Sequence, residues 1–216
     1  MKVLMASFLL DPRIGGGAAT SALRLCQGLA QQGIEVVALT THRDRGVRIV
    51  TDGGIKIYAF RPQNLYWIGD KDIQPTWKKV PWQLIDMWNP HTYRFAREVI
   101  KREKPDVVHV QKLRGLSPSI WAAARAERTR LLVQTCRDYE LISPEGLLES
   151  RVGRMALERH WTLRPYQAAR ARWAEAINIV TAPSDFTLRT IIDAGFFAHA
   201  LQLVVPNTHG WHEDEL

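Results

Sequence analysis

The apolar positions at the start of the chain change their spacing twice within forty residues. Residues 2–10 form an almost unbroken apolar run, as expected of a strand buried on both faces. After Gly15-Gly16-Gly17, the apolar positions Ala22, Leu25, Cys26 and Leu29 fall at helical spacing within 18–32. Gly33 supplies a helix stop, and 34–40 is apolar again. This is a strand-helix-strand unit whose short connections favour a parallel sheet.

Further along, 47–50 and 55–58 read as a hairpin turning at Asp52-Gly53-Gly54. Residues 64–89 are aromatic, punctuated by proline and read as irregular. Residues 91–102 read as a helix, and Lys104-Pro105-Asp106 turns the chain into a strand at 107–110. Ser117-Pro118 opens a helix running to 127. Strands follow at 131–135, 177–182 and 202–205. The stretch 145–176 is mostly helical with an interruption at Pro165, and a helix spans 184–194, stopped by Gly195. The alternation predicts an α/β fold: a Rossmann-like parallel sheet with helices on both faces. It fills 1–207, leaving 208–216 as the start of an interdomain linker or a truncated tail.

Composition narrows the class. A chain of 216 residues with 46% hydrophobic and 24% charged residues suits one globular domain. No run approaches the roughly 20 apolar residues of a membrane span, and Asp11-Pro12 cuts the first run short of a signal peptide. Cys26 and Cys136 are far apart and read as reduced thiols of a cytoplasmic protein. The net charge of +7 is uneven: Arg151, Arg154, Arg159, Arg164, Arg170 and Arg172 against Glu158 and Glu175 give one segment +4. Such a surface suits an anionic membrane or substrate, or is simply a solvated helical face, and no nucleic-acid recognition motif accompanies it.

In open parallel sheets ligands bind beyond the carboxyl ends of the strands. After the first strand come Asp11, Arg13 and the three glycines, which suit an anion at a helix N-terminus or a plain tight turn. After the 107–110 strand come Lys112, Arg114 and Gly115; after 131–135, Arg137 and Asp138. The glycines lack the G-x-G-x-x-G spacing, and Thr40-Thr41 ends the second strand without a ribose-binding acid. These two departures argue against a nicotinamide dinucleotide.

Five motifs in order carry a resemblance: the Gly-Gly loop with its helix and Gly-x-Glu-Val; Pro105-Asp106-Val107-Val108-His109; Thr135-Cys136-Arg137-Asp138-Tyr139; Ala182-Pro183-Ser184 with Gly195; and Val204-Val205-Pro206-Asn207. The chain resembles the N-terminal, acceptor-side domain of GT-B glycosyltransferases of family 4, which are retaining enzymes using nucleotide-sugar donors. The resemblance implies that Gly15, Gly16 and Gly17 meet the donor diphosphate. It also implies that Arg137 and Asp138 stand where many relatives carry a catalytic His-Asp pair, so histidine chemistry is lost there. An arginine can instead hold a phosphate or carboxylate. Asp138 would bond an acceptor hydroxyl or pair with Arg137. Arg13, His109, Lys112 and Arg114 are acceptor-binding candidates, with a structural role as the alternative for His109.

The same resemblance implies a glycan or glycolipid acceptor, cell-surface polysaccharide or glycoconjugate synthesis, and no metal or cofactor bound by this domain. The C-terminal donor-binding domain is absent from the chain, so this half alone is expected to be inactive. It would need that domain in the same polypeptide or a partner subunit. A non-catalytic module binding a glycan, lipid head group or protein is the rival reading. Trp161 and Trp173 among the arginines of 151–175 resemble an interfacial membrane helix, which would place the protein at the inner face of the plasma membrane. Tyr66, Trp67, Trp77, Trp82, Trp88 and Tyr93 suit stacking on sugar rings or a lipid carrier, although core and lid packing is the more frequent use of such residues. His209 and His212 near Glu213 and Asp214 read as a mobile terminus rather than a metal site.

Overall fold

After its first residue, β1 (Lys2–Ser7) is buried throughout. The computed structural model describes residues 1–158 and 160–207 and shows why. β1 is a central strand between β2 (Glu35–Thr41) and β5 (Val107–Lys112), parallel to both. With β3 (Val47–Asp52), β4 (Ile55–Phe60), β6 (Leu131–Thr135), β7 (Ile179–Ala182) and β8 (Leu201–Val204) it forms one sheet in the order β3-β4-β2-β1-β5-β6-β7-β8. Every pairing is parallel except that of β3 with β4, the expected hairpin, which lies at one edge.

Alternate residues of β1 face opposite layers. Leu4 and Ala6 join the larger apolar cluster with α3 (Pro90–Glu103) and α4 (Ser119–Ala126). Met5 packs in a separate cluster with Ala22 and Cys26 of α1 (Pro12–Gln31). Helices therefore cover both faces, as the pattern predicts. The two buried cysteines are free and belong to different clusters. Burial raises both thiols, that of Cys26 to about 12.

The structure departs from the sequence reading in four places. The glycine run is not a loop before the helix, because α1 starts at Pro12, capped by Asp11, and breaks at Gly16 (φ 61°, ψ −153°) before continuing. The region read as irregular contains a short 3-10 turn (Ile68–Ile73) and α2 (Thr76–Met87). Pro81 lies inside α2, and apolar residues on its inner and outer faces hide the period. Pro165 interrupts nothing: it stands in the first turn of α6 (Arg164–Ala174), after α5 (Arg151–Leu157) has ended. The fourth departure is β5, which runs on to Lys112, so His109 is mid-strand rather than at its end.

Caps account for the remaining boundaries. The Asn89 side chain accepts from His91 N and Thr92 N to open α3 ahead of Pro90. Ser117 (φ 65°) accepts from Asn89 N and Ser119 N, so α4 begins just after Pro118. Ser184 caps α7 (Asp185–Asp193) through Thr187 N. The tail reading at 208–216, with His209 and His212, lies outside the described residues.

Candidate functional site

From β1 the chain runs to β2 on one side, and after β4 it crosses back to place β5 on the other side of β1. That is a topological switch point, and the crevice beyond it is where open α/β sheets bind ligands. The loops after β1, β5, β6 and β8 converge on this rim.

The pairing of β1 with β5 skips a residue there: Ala6 pairs with Val110, but Ser7 pairs with Lys112. The extra residue is Gln111, which is buried. Irregularities of this kind re-aim side chains beside functional sites. Gln111 Nε2 lies 2.9 Å from His109 Nε2, and its Oε1 accepts from Arg137 Nε at 2.9 Å. Arg137 Nη1 donates to Asn207 Oδ1 beyond β8. His109 Nε2 also lies 2.7 Å from Thr135 Oγ1, which is 2.7 Å from Thr181 Oγ1. One polar network thus runs across the ends of β5, β6, β7 and β8.

Two consequences follow for charge. Burial, followed by the Arg137 charge, presses the His109 pKa down to about 4, so the ring is neutral at pH 7. An amide donor facing Nε2 suits the tautomer with its proton on Nδ1. Arg137 is only half-buried and its pKa is lowered by burial, yet its partners Gln111 and Asn207 are both neutral. No carboxylate lies within ion-pair reach of it among the described residues. An uncompensated guanidinium of this kind suits an arriving anion.

Of the two roles open to Asp138, pairing with Arg137 is not found. Asp138 Oδ2 lies 2.8 Å from Lys112 Nζ, whose ammonium also sits over the Phe8 ring. Asp138 Oδ1 accepts from Glu140 N. Glu140, which the sequence reading missed, is buried and accepts from Leu113 N at 2.6 Å and Arg114 N at 3.0 Å. Two backbone amides on one carboxylate pin the loop after β5. Burial raises the Glu140 pKa, and the charge of Asp138 adds to it. The Arg114 side chain donates to Pro144 O at 2.6 Å. A Cβ on Gly146 would stand 3.1 Å from Arg114 Nη2 and 3.5 Å from Asp138 Oδ2, so these two candidates adjoin.

Arg13 folds back on Asp11 through Nε (3.0 Å) and Nη2 (2.8 Å), and this pairing lowers the Asp11 pKa. No hydrogen bond joins it to either group above among the described residues. Gly16 takes a backbone conformation that is essentially restricted to glycine. A Cβ at Gly16 or Gly17 would meet nothing within 4 Å, so the backbone there is open to close approach. Among the described residues, no group of three or more His, Cys, Asp or Glu side chains gathers as a metal cluster.

The family profile described as Glycosyltransferase Family 4 matches residues 15–208. The chain belongs to that family. A curated relative from Klebsiella pneumoniae, an uncharacterized 42.6 kDa protein in the cps region, is 25% identical over 208 residues. That match covers 96% of this chain and 55% of the relative, so the chain spans about half the relative's length. Among solved structures, sucrose-phosphate synthase from Thermosynechococcus elongatus matches with a TM-score of 0.60 at 13% identity, over 95% of this chain and 48% of that one. UDP-GlcNAc 2-epimerase from Neisseria meningitidis, solved with UDP-GlcNAc, gives 0.55 at 16% identity, over 96% and 47%. These likenesses establish the fold, one Rossmann-like half of a GT-B architecture. The chain is a glycosyltransferase-type domain.

Proposed function

We propose that this chain is the acceptor-side half of a retaining glycosyltransferase that moves a sugar from a nucleotide-sugar to a glycan or glycolipid in cell-surface polysaccharide synthesis. The donor-binding half would come from the same polypeptide or a partner subunit. Family membership supports transfer, and the cps-region relative supports the polysaccharide setting.

The observation that carries the reading is Arg137, a half-buried cation held by neutral partners at the switch-point rim. In the proposal it orients an anionic or hydroxyl-rich acceptor and stabilises phosphate charge developing on the leaving group. Asp138, fixed by Lys112, receives an acceptor hydroxyl. Gly16 and Gly17 present open backbone to the donor diphosphate.

The test is a paired titration of this chain, by calorimetry or ligand-observed NMR, against nucleotide-sugars and against glycan and glycolipid acceptors. Acceptor binding that Arg137→Ala weakens is the expected outcome. Tight nucleotide binding without acceptor binding overturns the assignment of side. Retention is tested in an enzyme carrying both halves, where the product linkage should keep the donor's anomeric configuration.

A further inference from the structure

Among the described residues, no helix is long and apolar enough to cross a membrane. The segment 151–175, which resembles an interfacial helix in sequence, is two short helices, and α6 turns Tyr166, Arg170 and Ala174 inward. The outward face of α2 differs. Trp77, Val80 and Leu84 recur at helical spacing and are 70%, 68% and 63% exposed. Ile73, just before the helix, is 74% exposed. The opposite face holds Trp82 and Asp86, both buried. A helix this apolar toward water marks an interaction surface.

We propose that this face of α2 docks on an anionic lipid surface. Charge and side-chain chemistry select that occupant over a protein partner. The two cations of α2 are Lys78, whose ammonium lies over the Trp77 ring, and the exposed Lys79; its one acid, Asp86, is buried. Beside Ile73, the exposed Asp72 is offset by Lys71, and Asp70 pairs with Arg43. Lysine stems beside a tryptophan suit the headgroup boundary, with the rings in the interface and the ammonium groups at phosphates. At the end of α2, Trp88 stacks on Trp173 of α6 at 4.2 Å, next to the exposed Arg172.

The inner face of α2 is built into the candidate site. Asp86 Oδ1 accepts from Gly115 N at 3.0 Å, and Ile68, ahead of the helix, crowds the position a Gly115 Cβ would take. Docking α2 therefore brings the rim to the bilayer boundary. That a lipid-linked acceptor is what waits there rests on the transferase reading; the docking itself does not.

The test is co-sedimentation of this chain with phosphatidylglycerol–phosphatidylcholine vesicles and with phosphatidylcholine vesicles alone, with no sugar present. Binding to the anionic vesicles, weakened by salt and slight on the neutral ones, is expected. The triple variant Trp77→Ser, Val80→Ser, Leu84→Ser should bind at least about tenfold more weakly while keeping its circular dichroism and melting temperature, since these side chains are exposed. Unchanged binding by the folded triple variant overturns the proposal, as does equal binding to neutral vesicles. Absence of wild-type binding overturns it too, and hands the face to a protein partner. None of these outcomes bears on acceptor binding, so failure here and failure of the transferase reading are told apart.

Discussion

Two polar clusters lie at opposite ends of the same sheet, and they are built differently. At the amino-terminal end, Glu103 closes α3 against Lys2, Lys56 and Tyr58. Burial alone would raise its pKa, but the hydrogen bonds from Lys56, Tyr58 and Lys2 outweigh it and hold the carboxyl down at about 2. At the carboxyl end, Arg137 has no such partner among the described residues. One cluster is internally complete, and the other is a cation whose described partners are neutral. A buried acid surrounded by its own cations locks elements together, whereas a half-buried cation held among amides keeps its charge available to an anion.

The largest expected effect sits at the incomplete end. In an enzyme carrying both halves, Arg137→Ala should lower transfer by roughly 100-fold, the scale of losing one oriented charge donor. Arg137→Lys should recover little, because an ammonium cannot reproduce the fork that spans Gln111 and Asn207. Steady-state kinetics checks both, and wild-type rates in a folded Arg137→Ala enzyme would erase the contrast between the two clusters.

Glu103→Gln should do the reverse, costing on the order of 2 kcal/mol of stability while leaving acceptor binding unchanged. The cost falls short of a fully buried pair because Lys56 is partly exposed. The depressed carboxyl contributes stability that is present above about pH 4.5 and lost as pH falls through about 2. Denaturant melts across that window should therefore slope for the wild type and flatten for the variant.

His109 sharpens the contrast from the other end. Its pKa falls from 6.5 in the unfolded chain to about 4, so the unfolded state binds the extra proton between those values. Stability should fall as pH drops from 6.5 to 4, and His109→Gln should remove that slope. The two windows barely overlap, so one pH series of melts separates the clusters.

The fold was legible in the sequence because most strands are short apolar runs set off by turn or helix-stop residues, and the exposed β3 was betrayed by the Gly53-Gly54 turn that pairs it with β4. Residues 2–10, 34–40 and 131–135 all became strands within a few residues of the reading. α2 was not legible: Trp77, Val80 and Leu84 point outward while Trp82 points inward, so no single stripe stands out, and Pro81 mimics a breaker. At the site, spacing put Arg137 and Asp138 on the rim but could not choose their partners. That choice turned on the extra residue Gln111 in β5 and on Asn207, some seventy positions away in sequence. Glu140 left only a faint signal, an acid among apolar neighbours in a loop, and sequence shows nothing of the two amides it holds.

The smallest expected effect tests the glycines that the family resemblance assigns to the donor. Gly16→Val would be a poor probe, since any side chain is strained at φ 61°, ψ −153°, and fold and function would fail together. Gly17 separates the two. It follows the break, has no positive φ, and a Cβ there meets nothing within 4 Å. Gly17→Ala should therefore leave stability unchanged or raise it by up to about 1 kcal/mol through helix propensity. If the backbone here approaches a diphosphate, the same methyl group should still weaken the nucleotide-sugar Michaelis constant in an enzyme carrying both halves, with acceptor use unaffected. A stabilised variant with unchanged donor kinetics would leave these residues as a capped, kinked helix start and move the donor contact elsewhere on the rim.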